Sequence, residues 1–193
     1  GITAGASEYL AADICLKYIK EAVQIPCEKE NLEEAQEKLE EKLVHLTLPK
    51  PEGDKKDTNE ATKKLLNKRI VFTENPRQIE SAVISTVGEE LKLELTVAGE
   101  KKILFAGYKD WKCNDMYPND FPKRYHAVSY AFDEDALYLS VGLLNTSYRE
   151  EYCLWVNSEN VVVGTWRPNV TYLPAEEDMT WKFTGTFEPS CIL

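Results

Sequence analysis

Residues 90–97 read ELKLELTV, and this stretch decides the fold class. Its leucines and its valine occupy every second position, while glutamate, lysine and threonine fill the positions between them. Because side chains of a β-strand alternate between two faces, the pattern predicts a strand with one buried face and one face in water. Such strands are typical of antiparallel sheets, which often pack only one face on a core.

The same period of two continues towards the C-terminus. Polar turns such as AGEKK and DEDA separate the apolar segments, as expected for hairpins. Nine segments are strand candidates: 68–74, 81–87, 91–99, 101–108, 125–132, 137–143, 152–157, 160–166 and 180–187. This density of short strands predicts that residues 68–193 form an antiparallel β-barrel, or a strongly curved sheet, of about eight strands.

The N-terminal part of the chain has the period of an α-helix instead. Residues 7–25 predict one helix, and residues 31–46 predict a second with Asn31 as its N-cap. We therefore expect a helical arm of two helices over residues 1–48. The segment 49–67 contains prolines, a glycine and dense charge, which favours an exposed linker with a short helix near its end. The expected fold class is mainly β with an N-terminal α-helical arm.

Composition excludes several classes of partner. The chain has 193 residues, of which 43% are hydrophobic and 29% charged, and its net charge is -10. An acidic surface gains nothing from nucleic acid or from an anionic membrane, so we expect neither as a partner. No apolar run approaches the roughly 20 residues of a membrane span. The first residues lack the basic and apolar regions of a signal peptide, so we expect a mature or engineered start.

Cysteines and sequons point to an extracellular protein. Five cysteines are scattered without a CxxC pair, and the chain has only two histidines, which disfavours a zinc site. Two glycosylation sequons begin at Asn145 and Asn169, where turns are expected. Together these features predict a secreted glycoprotein from an oxidising compartment.

The cysteine pairing has more than one solution. We expect Cys153 to bond with Cys191, because this disulfide would tie a late strand to the C-terminal tail. Cys15 and Cys27 could close a helix–loop unit, or one of them could reach Cys113 and connect the arm to the β body. Five is an odd number, so at least one thiol is free or forms an intermolecular disulfide.

Catalytic patterns are not recognisable in the sequence. We find no nucleophile–base pair, carboxylate pair, phosphate-binding loop or metal-ligand cluster, and we therefore expect no enzymatic activity, no cofactor and no metal. His45 lies in a helical segment, which fits a surface position. His126 lies in a strand-like segment, which fits a packing role. The segment 109–124 is rich in aromatic residues, prolines and aspartates without periodicity, and it predicts a long, functional loop.

One family resemblance accompanies these patterns. The segment Cys153-Leu-Trp-Val, the late Cys191 and the stretch ATKKLLNKRIVF at 61–72 are similar to tick salivary lipocalins, which include the histamine-binding proteins. The resemblance covers residues 60–193. It implies a lipocalin-like barrel with an internal ligand site, and a role in scavenging host mediators through saliva.

A closed barrel of this size leaves room for a small ligand. Aromatic side chains inside it would suit a hydrophobic or cationic molecule through packing and cation–π contacts. We therefore predict a secreted glycoprotein that sequesters such a ligand. The candidate ligand-binding residues are Tyr108, Trp111, Tyr125, Tyr130, Trp155 and Trp166, with Glu94 and Asp133 or Asp135 as counter-ions.

The alternative is that the barrel is filled and that function lies on the outer surface. The 109–124 loop and the N-terminal helical face would then bind a host protein, since exposed aromatic and leucine side chains are suited to interfaces. This alternative protein would be a secreted immunomodulator. The helical face consists of Leu32, Leu39, Leu43 and Leu46.

Overall fold

The structure is a computed structural model, and it describes residues 32–45, 48–53, 62–115, 125–144, 146–169 and 179–189. The chain divides into two compact units, residues 1–49 and residues 50–193. The described part of the first unit contains helix α1, Leu32–Val44. This helix lies within the predicted second helix, whereas the predicted first helix lies outside the described residues. No helix in the described ranges is long and apolar enough to cross a membrane.

The second unit is mainly β and contains a 3-10 helix, Thr62–Leu65. Its described strands are β1 (Arg69–Phe72), β2 (Ile79–Val87), β3 (Glu90–Val97), β4 (Glu100–Tyr108), β5 (Lys112–Asn114), β6 (His126–Asp133), β7 (Ala136–Leu143), β8 (Arg149–Val156), β9 (Val162–Pro168) and β10 (Trp181–Phe187). Each of the nine predicted segments overlaps one strand, which confirms the mainly β class. The additional strand β5 lies inside the segment predicted to be a loop, so that part of the prediction is wrong.

Nine of these strands close into a β-barrel, so the prediction of about eight strands is corrected to nine, with β5 as an addition. The order around the barrel is β1, β2, β3, β4, β6, β7, β8, β9 and β10, and β10 pairs with β1. Neighbouring strands are antiparallel except β4 and β6, which run parallel. A closed ring with an odd number of strands requires such a parallel pair, because strand directions cannot alternate all the way round.

The parallel pair is short, and strand β5 extends the closure. Only Gly107 and Tyr108 of β4 pair with β6 in this register. Beyond them β5 pairs with β6, and the Asn114 side chain bonds to β4. Phe105 N donates to Asn114 Oδ1 at 2.6 Å, and Asn114 Nδ2 donates to Phe105 O at 3.0 Å. The buried amide of Asn114 therefore replaces a strand partner at the seam of the barrel.

The interior is filled at the end where β1 begins. Leu65 of the 3-10 helix is fully buried and belongs to the same core cluster as the strand residues. In β3 the predicted alternation is observed, since Leu91 and Leu93 are buried while Lys92 and Glu94 form an ion pair of 2.7 Å. Leu91 belongs to this filled end, together with Ile70, Val128, Tyr130, Phe132, Leu137 and Val162. The 3-10 helix thus covers one end of the barrel.

The described residues of the segment 49–67 include both exposed and buried side chains. Pro51, Thr62 and Leu65 are buried, and the predicted short helix in this segment is present as the 3-10 helix. Gly53 adopts a φ of +109°, and a Cβ there would lie 2.9 Å from the Phe132 carbonyl oxygen. Only glycine accommodates both this backbone conformation and this close approach.

Candidate functional site

The barrel contains a cavity of about 120 Å³ at the end opposite the 3-10 helix. An engineered protein cavity of about 150 Å³ with leucine, isoleucine and phenylalanine walls stays dry and binds benzene. The volume here therefore suits a single ring or a short alkyl chain. The walls are mainly apolar and include Phe72, Ile84, Leu93, Leu104, Leu139 and Leu154.

Three polar side chains, Arg77, Glu150 and Tyr152, also line the cavity and form a polar cluster. Arg77 Nη2 lies 3.1 Å from Glu150 Oε1, and Tyr152 Oη donates to Glu150 Oε2 at 2.6 Å. The Glu150 side chain is only 3% exposed, whereas that of Arg77 is 40% exposed. A carboxylate buried this deeply requires such partners to offset the loss of its hydration.

Strand β8 aims two of these side chains into the barrel. Glu150, Tyr152 and Leu154 occupy alternate positions, so they share the inward face of the strand. Their neighbour Glu151 has the opposite orientation and forms an ion pair of 3.0 Å with Arg149, with its side chain 42% exposed. The alternation of β8 therefore places two adjacent glutamates in different environments.

The loop between β1 and β2 positions Arg77. Asn75 Nδ2 donates to Thr73 O at 2.9 Å and to Ile79 O at 2.8 Å, and Ile79 N donates to Asn75 Oδ1 at 3.1 Å. Gln78 adopts a positive φ of 52°, and its N–H donates to Asn75 O at 2.9 Å. These hydrogen bonds stabilise the turn that contains Arg77.

The polar cluster keeps Tyr152 protonated and Arg77 charged near neutral pH. Burial raises the pKa of Tyr152 well above its ordinary value, and the nearby Glu150 carboxylate raises it further. For Arg77, burial lowers the pKa, but Tyr152 and Glu150 more than compensate and the pKa is raised overall. The cluster therefore contains one cation, one anion and one neutral hydroxyl.

Two buried nitrogen donors at the polar cluster have no acceptor among the described residues, Arg77 Nε and Trp166 Nε1. The two side chains are in contact, since Arg77 Cζ lies 5.7 Å from the centroid of the Trp166 ring. Trp166 is 4% exposed, and its ring packs on that of Trp181 at 4.8 Å. Buried N–H groups without an acceptor are uncommon in folded proteins, so this pair calls for a physical explanation.

Lys102 of β4 and His126 of β6 line other parts of the cavity. His126 is half-buried in its strand, where a packing role is predicted for it. Apart from His126, the lining residues with ionisable acidic or basic side chains are Arg77, Lys102 and Glu150. No group of three histidine, cysteine, aspartate or glutamate side chains within the described residues could hold a metal ion.

The six aromatic residues predicted to bind a ligand lie elsewhere than the cavity wall. Trp166 is the nearest, through its contact with Arg77. Tyr130 belongs to the filled end, where its hydroxyl donates to Glu89 O at 3.1 Å and its ring lies 5.9 Å from that of Tyr108. The structure therefore brings Tyr108 and Tyr130 together, away from the polar cluster.

The remaining predicted residues are more peripheral. Trp155 is half-buried on the outward face of β8, and Tyr125 is 41% exposed before β6. Trp111 follows β4 and is half-buried, with its Nε1 atom buried. The predicted counter-ions are also outside the cavity, since Glu94 pairs with Lys92 and the two aspartates are exposed at the β6–β7 turn: Asp133 and Asp135.

Two of the cysteines fall within the described residues. Cys113 is exposed and Cys153 is half-buried, and both carry free thiols. Burial raises the pKa of Cys153, and a hydrogen bond with Tyr138 only partly opposes this, which favours an unreactive thiol. Because the Cys153 thiol is free, the expected Cys153–Cys191 disulfide is not formed in the structure, and neither is the alternative bond to Cys113. The expected pair Cys15 and Cys27 lies outside the described residues.

One of the two sequon asparagines can be placed. Asn169 is exposed at the end of β9, where Arg149 N donates to its Oδ1 at 2.8 Å and its Nδ2 donates to Ser147 O at 2.7 Å. Its side chain thus links β9 to the residues before β8. Asn145 lies outside the described residues, and glycosylation of either site stays a prediction.

Sequence reasoning missed Arg77, Glu150 and Tyr152. For β8 a signal existed, because Glu150 and Tyr152 share the alternation of the buried Leu154. Arg77 lies in a loop without periodicity, so no pattern in the sequence indicates its direction. The chain matches no protein-family model and no curated protein.

Proposed function

We propose that this protein is a lipocalin-like binding protein that sequesters a small, mainly apolar ligand inside its barrel. The observation that supports the proposal is a closed barrel that is filled at one end and has an apolar cavity of about 120 Å³ at the other. Side chains that line an empty cavity lose packing contacts, which costs stability. A ligand that fills the cavity recovers those contacts, and this gain favours binding.

The proposal includes secretion, glycosylation and a role in scavenging host mediators. Secretion and glycosylation are supported by the two sequons and the scattered cysteines. Scavenging is supported by the similarity of residues 60–193 to tick salivary lipocalins. Sequestration requires binding alone, so the proposal contains no catalytic step.

Hexan-1-ol tests this proposal, because its alkyl chain is short and uncharged. We expect calorimetry to measure saturable binding of one molecule to the wild type, with a negative heat-capacity change from apolar burial. The Val141→Phe variant should lose this binding, because Val141 lines the cavity and is 9% exposed. The matched control is Val71→Phe, since Val71 is 41% exposed on β1 and does not line the cavity.

Equal affinities of the two variants for hexan-1-ol would contradict the proposal, and so would absence of binding to the wild type. Cooperative thermal unfolding of both variants is the control for folding. We therefore expect Val141→Phe to lose affinity for hexan-1-ol and Val71→Phe to keep it.

A second candidate function is capture of a host protein through α1. Leu39 and Leu43 are both 56% exposed and lie one turn apart, and Val44 is 79% exposed. The structure does not describe three parts of the predicted surfaces: the Leu32 side chain, Leu46 and residues 116–124. A Leu39→Glu, Leu43→Glu double variant should lose capture of a partner from host plasma and keep its affinity for hexan-1-ol. Unchanged capture would exclude this surface.

A further inference from the structure

We infer that the ligand of the barrel is a small, uncharged alcohol or phenol, with its hydroxyl group between Arg77 and Glu150 and its alkyl chain or ring in the apolar cavity. The inference rests on the proposed function and specifies its ligand class. It replaces the predicted cationic ligand with a neutral one. Three features of the site support it: the pairing of its charges, the polar atoms of the two side chains and the direction of the apolar walls.

The charges of the polar cluster are paired with each other. Arg77 Nη2 lies 3.1 Å from Glu150 Oε1, so one cation lies beside one anion. Lys102 and His126 line other parts of the cavity and have interaction partners of their own. A charged ligand would lose its hydration in the apolar cavity, and the group of like charge in the cluster would repel it. The cavity therefore favours an uncharged ligand.

The polar cluster presents both a donor and an acceptor. Arg77 Nε is buried and has no acceptor among the described residues, so it can donate to a ligand. Glu150 Oε1 is also buried in the cluster, and a carboxylate oxygen has two lone pairs, so it can accept a hydrogen bond in addition to its contact with Arg77. A carboxylate ligand has no proton to donate, and an ammonium ligand has no lone pair to accept with. A hydroxyl group is the smallest neutral group that does both.

One hydroxyl group can reach both atoms. Nε and Nη2 of Arg77 belong to the same planar guanidinium group, and Nη2 is the atom in contact with Glu150 Oε1. Nε is therefore within a few ångströms of Oε1, and one oxygen with two hydrogen bonds of about 2.9 Å can bridge such a gap. The ligand oxygen accepts from the Arg77 Nε–H, and the ligand O–H donates to Glu150 Oε1.

The inward face of β8 gives the direction of the apolar part. Glu150 and Leu154 occupy this face together, and both line the cavity. The Arg77 side chain is 40% exposed, whereas Leu154 is buried, so a hydroxyl group at the polar cluster directs the rest of the ligand away from solvent. A volume of about 120 Å³, below that of the engineered cavity that binds benzene, limits this part to a short chain or a single ring.

The test compares four probes by calorimetry at pH 7: hexan-1-ol, its isomer 1-methoxypentane, hexanoate and hexylamine. The ether contains the same atoms as hexan-1-ol and accepts a hydrogen bond, but it has no O–H to donate to Glu150. We expect hexan-1-ol to bind about 10- to 100-fold more tightly than the ether, which is the contribution of a hydrogen bond to a charged group. Hexanoate and hexylamine should each bind more weakly than hexan-1-ol, because each brings a charge into the cavity.

The Glu150→Gln variant locates the ligand O–H. Its amide oxygen can accept the Tyr152 hydroxyl bond, and its NH₂ group then replaces Oε1 as the neighbour of Arg77. The preference for hexan-1-ol over the ether should fall by about tenfold. Binding of the ether should persist, which shows that the variant is folded. The matched control is Glu151→Gln, because Glu151 pairs with Arg149 at 3.0 Å with its side chain 42% exposed.

The Arg77→Lys variant locates the ligand oxygen. It keeps a positive charge beside Glu150 but has no Nε–H at that position, so hexan-1-ol and the ether should both bind about tenfold more weakly. The matched control is Arg69→Lys, because Arg69 forms an ion pair of 3.6 Å with Glu188 in which both side chains are about half exposed. This control should keep the affinities of the wild type.

The possible outcomes separate the two proposals. Equal binding of hexan-1-ol and the ether to the wild type would overturn the hydroxyl inference and leave the carrier function standing, as would tightest binding by hexanoate or hexylamine. A preference for hexan-1-ol that survives in Glu150→Gln, or an unchanged affinity of Arg77→Lys for hexan-1-ol, would also overturn the inference. Absence of binding by all four probes would overturn the proposed function itself.

Discussion

Glu150 and Glu151 are neighbours in the chain with opposite environments. We predict that Glu150→Gln lowers the free energy of unfolding by about 1–2 kcal/mol, less than the 3–5 kcal/mol typical for breaking a buried ion pair, because Arg77 is partly exposed. The glutamine amide oxygen can still accept the hydrogen bond from the Tyr152 hydroxyl, so the loss of unfolding free energy measures the contribution of the Glu150 charge. Urea unfolding at pH 7 measures it.

The matched control is Glu151→Gln, which removes the same charge one position away. Its side chain is 42% exposed and pairs with Arg149 at the surface, so we expect a change within about 0.5 kcal/mol. Equal losses in the two variants would contradict the assignment of Glu150 to the barrel interior.

Tyr152 predicts a pH dependence of stability. Its folded-state pKa is raised by burial, so the folded state holds the hydroxyl proton after the unfolded state has released it. The buried Tyr152 hydroxyl therefore stabilises the folded state. This contribution is complete below pH about 10, the unfolded pKa, and declines as the pH rises towards the folded pKa. Within that range the decline reaches about 1.4 kcal/mol per pH unit.

The Tyr152→Phe variant should lack this term. We expect urea unfolding between pH 9 and pH 11 to give a steeper loss of stability for the wild type than for the variant, although the variant is less stable at pH 7 because its bond to Glu150 is absent. Parallel pH profiles would mean that Tyr152 is accessible to solvent in the folded protein.

Individual residues differ in how far the sequence predicts them. Leu91 and Leu93 are buried as their alternation predicts, because an apolar side chain and an inward position agree. Glu150 has an inward position but a charge that usually belongs at the surface, so the sequence gives conflicting signals. Only the position of Arg77, in a loop remote in sequence, resolves the conflict.

At the scale of elements, Asn114 is central to the closure of the barrel. We predict that Asn114→Ala lowers the free energy of unfolding by about 2–4 kcal/mol, because it removes several hydrogen bonds and leaves buried backbone groups of β4 unsatisfied. Hydrogen exchange of the Phe105 amide should accelerate strongly, since that N–H loses its acceptor at 2.6 Å. The free energy of unfolding and the exchange rate of this amide are both measured on the purified protein.

The control for this prediction is the Asp115→Ala variant, because Asp115 is the next residue and is exposed. This variant should change the free energy of unfolding by less than about 0.5 kcal/mol. Slow exchange of the Phe105 amide in Asn114→Ala would contradict the role assigned to the side chain, because it would require another acceptor at the seam.

Elements with long alternating patterns are predictable, and the closure of the barrel is not. Nine strands follow from alternation of apolar and polar residues, as in β3. The strand β5 has three residues, Lys112–Asn114, which is too short to establish a period. The parallel pairing of β4 with β6 depends on which strand ends meet in space, and a local pattern contains no information about that meeting.

At the scale of the whole molecule, the two ends of the barrel differ. The 3-10 helix and its fully buried Leu65 cover one end, while strand residues and the loop residue Arg77 surround the cavity at the opposite end. We predict that hexan-1-ol at a hundred times its dissociation constant raises the free energy of unfolding by about 2.7 kcal/mol. Val141→Phe should show no such increase in urea unfolding, and an equal increase would place the bound alcohol outside the cavity.

The central claim is that the ligand lies inside the barrel, and nuclear Overhauser contacts from bound hexan-1-ol test it most directly. With methyl-labelled protein, we predict contacts from the alkyl protons to the methyl groups of Leu139 and Leu154, which line the cavity. Val71 and Ile103, which are 41% and 47% exposed, should give none. Contacts confined to those outer methyl groups, or no contacts to any methyl group at saturation, would contradict the account.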